Sequence, residues 1–239
     1  MRRLLQLSVF LLLSVGASAE ESPTKSSTPE VKNLGGSRHQ IGKIVFDSKQ
    51  KTIEFEASVE QTEVLVEYLL VNQHGKIHES IFITDILPFN LNLAMKLLGF
   101  QESKELLHVL DEDHIPTAKL HLATKEQKQH SRFSMTISWE LDGKTVTLPA
   151  HKLVKRAHTK ETLSPAPWIY SGSSVHNGKY KPDLTGDIFA IFTDANAVAN
   201  YSGEGHDDDT LWLANRKVLP PYGTPVRITL KKLQPTDSK

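Results

Sequence analysis

Cysteine is absent from the 239 residues of this sequence. That absence excludes disulfide bonds, a cysteine nucleophile and lipid attachment through a cysteine, so the fold must be held together by core burial alone. The sequence also lacks a net charge, since 28 Lys and Arg balance 28 Asp and Glu. A nucleic-acid partner usually requires a clearly basic surface, and we therefore expect none.

Long apolar runs are scarce, and the longest one lies at the N-terminus. Arg2 and Arg3 precede the apolar residues 4–15, and residues 16–19 are small. This is the pattern of a cleavable secretion signal, and the run is too short to cross a bilayer as a helix. We expect a signal peptide over residues 1–19, export to the periplasm or the medium, and no transmembrane segment in the mature protein.

The remaining chain divides by composition into three parts. Residues 20–37 are rich in Ser, Thr, Pro, Lys and Glu and have few large apolar side chains. Such a segment buries too little surface to offset its ordering entropy, which predicts a disordered leader. Residues 38–234 are predicted to form a single β-rich domain, and residues 235–239 a flexible tail.

Short segments of alternating polarity predict strands throughout that domain. They cover residues 43–47, 52–59, 64–72, 76–84, 119–123, 132–141, 144–148, 168–171, 187–193 and 225–230. One apolar cluster between Pro88 and Gly99 instead has the start and stop residues of a buried helix, and residues 103–110 are a candidate second helix. The expected fold is mainly β (α+β): a twisted antiparallel sheet or sandwich with one packed helix near residues 88–98.

Two glycine-containing dipeptides predict tight turns between strands. Asp142-Gly143 is a strong hairpin signal because a type I′ turn needs positive φ at both central residues. His74-Gly75 is a weaker version of the same signal. If it forms a two-residue turn, Glu79 falls on an apolar strand face opposite Leu70.

Several short motifs appear in a fixed order along the chain. They are Gly75-Lys76-Ile77-His78-Glu79-Ser80, the segment 91–99, Trp168-Ile169-Tyr170-Ser171-Gly172-Ser173, Gly186-Asp187-Ile188 and the segment 219–226. In this order they resemble the YdjY domain family of bacterial proteins over roughly residues 43–230. The resemblance implies an exported or envelope-associated protein and supplies no mechanism. Some relatives carry iron–sulfur cysteines, and the lack of cysteine excludes that chemistry here.

The first candidate site is formed by Lys76, His78 and Glu79. A carboxylate among aliphatic side chains must find a partner, stay protonated or point into a polar pocket. One interpretation is a ligand-binding site in which Glu79 is the catalytic candidate. The other is a structural role, with Glu79 bonded to backbone amides or a buried arginine while Lys76 and His78 are solvated.

The second candidate is the acidic loop at residues 204–209. His206, Asp207, Asp208 and Asp209 are candidate ligands for a divalent cation, calcium or zinc. The spacing does not match an EF-hand, so a solvated acidic loop is the competing interpretation, and no cofactor is required. Trp168 and Tyr170 could add an aromatic platform for a sugar or peptide, although aromatic residues beside prolines often serve packing alone.

These observations favour a non-catalytic, exported protein that binds a small ligand or an envelope protein, with a site that combines residues 76–80 and 204–209. An alternative is a divalent-metal-assisted hydrolase of envelope material, in which His206 and the neighbouring aspartates bind the metal and Glu79 is the general base. A third hypothesis is a structural component of an envelope complex, which requires an exposed apolar patch or strand edge.

Overall fold

The computed structural model describes residues 29–159 and 161–234. The predicted secretion signal, the first part of the predicted leader and the predicted tail at residues 235–239 lie outside the described residues. Within those described ranges, no helix is both long enough and apolar enough to span a membrane.

The described chain contains short strands and three α-helices. The strands are β1 (Val31–Gly35), β2 (Arg38–Ile41), β3 (Ile44–Asp47), β4 (Thr52–Val59), β5 (Tyr68–Asn72), β6 (Ser80–Thr84), β7 (His108–Leu110), β8 (Pro116–Leu120), β9 (Arg132–Leu141), β10 (Lys144–Pro149), β11 (Val154–Arg156), β12 (Trp168–Tyr170), β13 (Val175–His176), β14 (Lys179–Tyr180), β15 (Asp187–Ala190), β16 (Ala199–Tyr201), β17 (Trp212–Ala214) and β18 (Pro225–Lys232). The helices are α1 (Pro88–Leu97), α2 (Lys125–His130) and α3 (Lys181–Thr185), and 3₁₀ turns occupy Ile77–Glu79 and Ala150–Leu153.

The main sheet closes on itself to form a barrel. Its strands follow the order β4-β18-β9-β12-β16-β15-β5-β6, and β6 pairs back onto β4. The pairs β15–β16 and β5–β6 are parallel, whereas the other neighbours in the ring are antiparallel. The mainly β prediction is confirmed, but the predicted antiparallel sheet or sandwich is instead a barrel in which two of the strand pairs are parallel.

Strand alternation explains how the barrel encloses its core. In β9, every second side chain is buried and the intervening ones face outward. The buried set is Phe133, Met135, Ile137 and Trp139. The same period of two recurs in β4 and β18, which pair with each other, so their apolar faces meet in one core.

Aromatic rings fill the centre of that core. The ring of Phe189 lies 5.8 Å from that of Phe133 and 6.0 Å from that of Trp168, measured between centroids. Trp168 in turn packs against Tyr201 at 5.8 Å. Such tilted contacts add to the large apolar area that each ring removes from water. Strands from distant parts of the sequence are therefore joined by one aromatic cluster.

The helix predicted near residues 88–98 is confirmed as α1. Pro88 begins it, and Gly99, with φ of 77°, follows its C-terminal cap at Leu98. The buried face carries Leu91, Ala94 and Met95, which pack into the core. The prediction of one helix is wrong, because α2 and α3 are also present.

The second helix predicted at residues 103–110 is also wrong. Residues 108–110 form β7, which pairs with β8 in a separate two-stranded hairpin. Pro116 in β8 has no N–H to donate, so it lies at a position where the sheet ends. The leucines at 106, 107 and 110 do not enter a helix interface but face a cleft.

The Asp142-Gly143 hairpin is confirmed, with φ of 51° and 73° at its two central residues. The His74-Gly75 hairpin is wrong, because β5 and β6 run parallel and Leu70 lies beside Phe82. The 3₁₀ turn at Ile77–Glu79 carries the chain back so that β6 starts level with β5.

A strand forms within the segment that was predicted as a leader. Val31–Gly35 form β1, which pairs with β2 through Val31 opposite Ile41 and Lys32 opposite Gln40. Every residue of β1 is exposed, so this strand is held by backbone pairing and not by core burial. Composition indicated correctly that the segment buries little, but it did not reveal that β2 offers a free edge.

The close approach of Gly75 and Gly186 predicts a large effect of a small substitution. Gly186 has φ of 80°, and an added Cβ would lie 2.5 Å from Cα of Gly75. We expect Gly186→Ala to lower the free energy of unfolding by about 3 kcal/mol, since it combines backbone strain with a steric clash. Urea denaturation measures this loss.

Gly223→Ala is the matched control for this experiment. Gly223 has a similar φ of 77° but open space where the Cβ would be. The Gly223→Ala variant should lose only about 1 kcal/mol of unfolding free energy, which is the cost of backbone strain alone. Equal losses in the two variants would show that the contact between the glycines does not constrain the fold.

Candidate functional site

A cleft of about 630 Å³ lies between the β7–β8 hairpin and two loops of the barrel. We call it the hairpin cleft. The hairpin side and the segment before it contribute Lys104, Leu106, Leu107, His108, Leu110, Pro116, Ala118, Leu120 and His121. The barrel side contributes Ser173, Ser174, Phe192, Thr193, Ala195, Asn196, His206 and Asp207. The first wall is mainly apolar and the second mainly polar.

The hairpin is stabilised by its own hydrogen bonds. Thr117 donates its hydroxyl to the carbonyl of Val109 at 2.7 Å, and Nδ1 of His108 lies 2.7 Å from the carbonyl of Thr117. At the tip, the carboxylate of Asp111 accepts the backbone N–H of Ile115 at 2.9 Å. Leu110 nevertheless remains 52% exposed. The hairpin is therefore held by hydrogen bonds, and the Leu110 side chain stays available to contact a ligand.

A buried polar network fixes the facing wall. The Tyr68 hydroxyl donates to Oδ2 of Asp194 at 2.9 Å. Oδ1 of Asn200 accepts the backbone N–H of Asp194 at 2.8 Å, and its Nδ2 donates to Oγ of Ser171 at 2.9 Å. Burial raises the pKa of Tyr68, and the Asp194 carboxylate raises it further, so the hydroxyl stays a donor. This network sets the path of residues 191–198 along the cleft.

The loop at residues 204–209 contributes only part of its polar side chains to the cleft. Thr193 and His206 are joined twice, through a 2.7 Å contact between Oγ1 and Nδ1 and through a backbone hydrogen bond of 2.7 Å. Asp207 also lines the cleft. Asp208 instead accepts the N–H and hydroxyl of Thr210, which lowers its pKa.

Across residues 29–159 and 161–234, no group of three or more His, Asp or Glu residues is arranged to hold a metal ion. His206 and Asp207 face the same cleft, whereas Asp208 is bonded within its own turn. Binding of calcium or zinc by these residues and Asp209 therefore stays a prediction.

Lys76, His78 and Glu79 belong to a cluster of charged side chains that does not line the hairpin cleft. The Lys76 ammonium is 2.9 Å from Glu67 and 3.7 Å from Glu79, and His78 Nε2 is 3.4 Å from Glu79. Placing Glu79 on an apolar strand face opposite Leu70 was wrong, because the residue belongs to the 3₁₀ turn. His78 and Glu79 are therefore neighbours and do not lie on opposite faces.

A comparison with known families identifies the relationship suggested by the motifs. The sequence model of the family described as the YdjY domain matches residues 44–231. The chain belongs to the YdjY domain family. No curated protein and no solved structure matches the chain.

Within this YdjY domain, the two predicted site segments are linked indirectly. Ile191 donates its backbone N–H to the carbonyl of Glu67 at 2.7 Å, and Glu67 pairs with Lys76. Two residues later, Thr193 donates to the carbonyl of His206. In the described part of the chain, no hydrogen bond or ion pair joins residues 76–80 directly to residues 204–209. Both are linked to residues 191–193, one through Glu67 and the other through Thr193, and a shared site stays a prediction.

The aromatic candidates of the YdjY domain are core residues. Trp168 and Tyr170 are 3% and 0% exposed. The Tyr170 hydroxyl donates to Oδ1 of Asn92, and the ammonium of Lys96 lies 5.7 Å from its ring centroid. Neither ring presents a free face to solvent, so a ligand would first have to displace neighbouring side chains. Their part in ligand binding stays a prediction.

Sequence reasoning overlooked Asp187 of the YdjY domain. This residue is only 5% exposed, and its Oδ1 has no hydrogen-bond partner. Burial raises the pKa of Asp187, a hydrogen bond from Thr185 and the charges of Lys76 and Lys181 lower it, and the charge of Asp194 raises it. An acidic residue at the start of an otherwise apolar strand could have indicated this site. From the sequence, Asp187 was recognised only as part of a family motif.

The burial of Asp187 predicts a pH-dependent gain in stability when its charge is removed. Because the folded-state pKa is raised, ionisation opposes folding at neutral pH, and this penalty disappears well below pH of about 4. We expect Asp187→Asn to raise the free energy of unfolding by about 1 kcal/mol at pH 7 and to leave it unchanged at low pH. Urea denaturation across pH tests both limits.

Asp113→Asn is the control because Asp113 is exposed at the hairpin tip. It should leave stability within experimental scatter at both pH values. A loss of stability in Asp187→Asn at pH 7 would mean that the folded state needs the negative charge and would contradict this interpretation.

Proposed function

We propose that this YdjY-domain protein is an exported, non-catalytic binding protein that holds an amphipathic ligand in the hairpin cleft. The observation that carries the proposal is the division of the cleft into an apolar wall and a polar wall. Ligand sites are commonly concave and mainly apolar, with a few polar groups that fix orientation. Export rests on the pattern of residues 1–19 and envelope association on the exposed apolar hairpin.

The apolar wall suits an aliphatic or aromatic ligand body. Leu107, Leu110 and Leu120 project from the hairpin side, and Phe192 lies on the opposite side. Removing apolar surface from water stabilises a complex by about 25 cal/mol per Å² before the costs of association. Contact along this wall therefore contributes affinity but little specificity for one ligand.

The polar wall suits a hydrogen-bonding ligand head group. Asn196 lines this wall and is exposed to the cleft beside Ser173 and His206. These groups include both donors and acceptors, and Asp207 adds a carboxylate to the same wall. Because Asp207 and Lys104 bring opposite charges to the cleft, a polar head group fits this chemistry better than a strongly charged one of either sign.

Binding without catalysis is supported by how the hydroxyl groups are used. Ser173 donates its hydroxyl to the backbone carbonyl of Asn196 at 2.7 Å. That bond leaves no contact with an imidazole, which a serine nucleophile requires for activation. Thr193 does contact His206, but within the described residues no carboxylate bonds to the second ring nitrogen. We infer that the hydroxyl groups of Ser173 and Thr193 stabilise the fold and contact the ligand.

An anionic naphthalene dye whose fluorescence increases in apolar surroundings tests this proposal. We expect the wild type to bind the dye and Leu110→Asp to weaken binding by about tenfold or more, because a charge replaces a side chain that would contact the ligand. Fluorescence titration gives the dissociation constants, and circular dichroism verifies that the variant is folded.

Leu141→Asp is a matched control at the end of another hairpin. Leu141 is 51% exposed, against 52% for Leu110, but it does not line the cleft. Its variant should bind the dye like the wild type. Equal weakening in both variants, or in neither, would refute the hairpin cleft as the binding site.

A second candidate function is divalent-metal-assisted hydrolysis of envelope material. The observation that favours it is that His206 and Asp207 line the same cleft. Since Nδ1 of His206 contacts Thr193, its Nε2 is the nitrogen left for a metal ion. Glu79, the predicted general base, does not line this cleft, so a different base would have to serve this reaction.

Thermal melting with calcium, zinc or excess chelator separates the two candidates. A metal that binds only the native state raises the melting midpoint. The binding proposal predicts equal midpoints under all conditions. The hydrolase candidate predicts a rise with one ion that Asp207→Ala abolishes and the exposed control Asp113→Ala retains. Such a rise would replace the non-catalytic proposal with the metal-dependent one.

A further inference from the structure

A second pocket, of about 380 Å³, lies at the C-terminal end of α1. We call it the α1 pocket. Its lining consists of Lys51, Leu98, Gly99, Gln101, His130, Lys232, Leu233 and Gln234. None of these residues is acidic, and three are basic or imidazole-bearing. The pocket therefore concentrates positive charge, although the whole sequence is electrically balanced.

Lys232 is the least usual of these residues because it is only 8% exposed. Its ammonium donates to the carbonyl of Gly99 and, at 3.4 Å, to that of Leu98. It also lies 5.0 Å from the ring centroid of Phe100. In the described ranges, no carboxylate forms an ion pair with it. A buried ammonium with a hydrogen bond to each of two carbonyls still has one donor unused.

Lys51 brings a second positive charge to the same pocket. The backbone N–H of Lys232 donates to the carbonyl of Lys51 at 3.0 Å, which holds the two residues together. Burial lowers the pKa of Lys232, and the charge of Lys51 lowers it further. His130, the last residue of α2, completes the basic lining. Among residues 29–159 and 161–234, the lining of this pocket thus holds like charges close together and no carboxylate.

We propose that the α1 pocket binds an oxyanion, either a carboxylate or a phosphate group, between Lys51, His130 and Lys232. An oxyanion accepts the unused N–H of Lys232 and offsets the repulsion between the two ammonium groups. Hydrogen bonds between charged partners are roughly twice as strong as those between neutral groups. This site is separate from the hairpin cleft, since the two linings share no residue.

A purely structural role for Lys232 makes a different prediction. The carbonyls at the end of α1 carry partial negative charge, and a lysine there stabilises the helix without any ligand. Lys51, however, makes no side-chain hydrogen bond to α1 among the described contacts. Replacing Lys51 therefore removes charge from the pocket while the cap on α1 stays in place.

Thermal melting of the purified protein in phosphate, acetate and chloride at equal ionic strength tests the proposal. At a concentration of about 100 times the dissociation constant, the bound anion should raise the midpoint by about 5–10 °C relative to chloride. A rise in phosphate alone assigns the pocket to phosphate groups, and a rise in acetate extends it to carboxylates.

Lys51→Asn is the decisive variant because asparagine tolerates the left-handed backbone at this position, where φ is 56°. It should lose the anion-dependent rise. Lys49→Asn, at an exposed position of the same turn, should keep it and so controls for general salt effects. No rise in either oxyanion, or an equal rise in Lys51→Asn, would overturn the proposal.

Discussion

The parallel pairing of β15 with β16 is the constraint on which the candidate site depends. Adjacent parallel strands usually need a crossover of a dozen or more residues, yet only residues 191–198 connect this pair. So short a connection must fold tightly, and its backbone groups need partners inside the protein. Asn200 and Asp194 supply them with both side chains and main chain. The closed barrel and the polar wall therefore share one network.

The same connection relates the features that the sequence suggested separately. One side of it contacts Glu67 and, through that residue, the Lys76 cluster. The other side supplies Thr193 and Asn196 to the hairpin cleft and contacts His206. Each proposed role thus uses groups placed by the barrel, while the apolar β7–β8 hairpin adds the wall that the barrel lacks. The α1 pocket is independent of this connection, since none of residues 191–198 lines it.

Local signals were sufficient for much of the fold. Alternation in β4 and β9, proline and glycine around α1, and the Asp142-Gly143 turn are all short-range features, and each was predicted correctly. The parallel β5–β6 pair was missed because Gly75 contacts Gly186, which is far away in sequence. Glu79 was misplaced for the same reason. The cleft was also missed, since leucines at 106, 107 and 110 match a helix as well as a hairpin.

Hydrogen–deuterium exchange of Tyr68→Phe tests most directly whether the buried network fixes the polar wall. This change removes one hydroxyl, and with it the 2.9 Å bond to Asp194, while keeping the ring in the core. We expect faster exchange in residues 191–198 and unchanged exchange in β4, β9 and β18. Unchanged exchange in residues 191–198, or a uniform increase over the whole barrel, would contradict it.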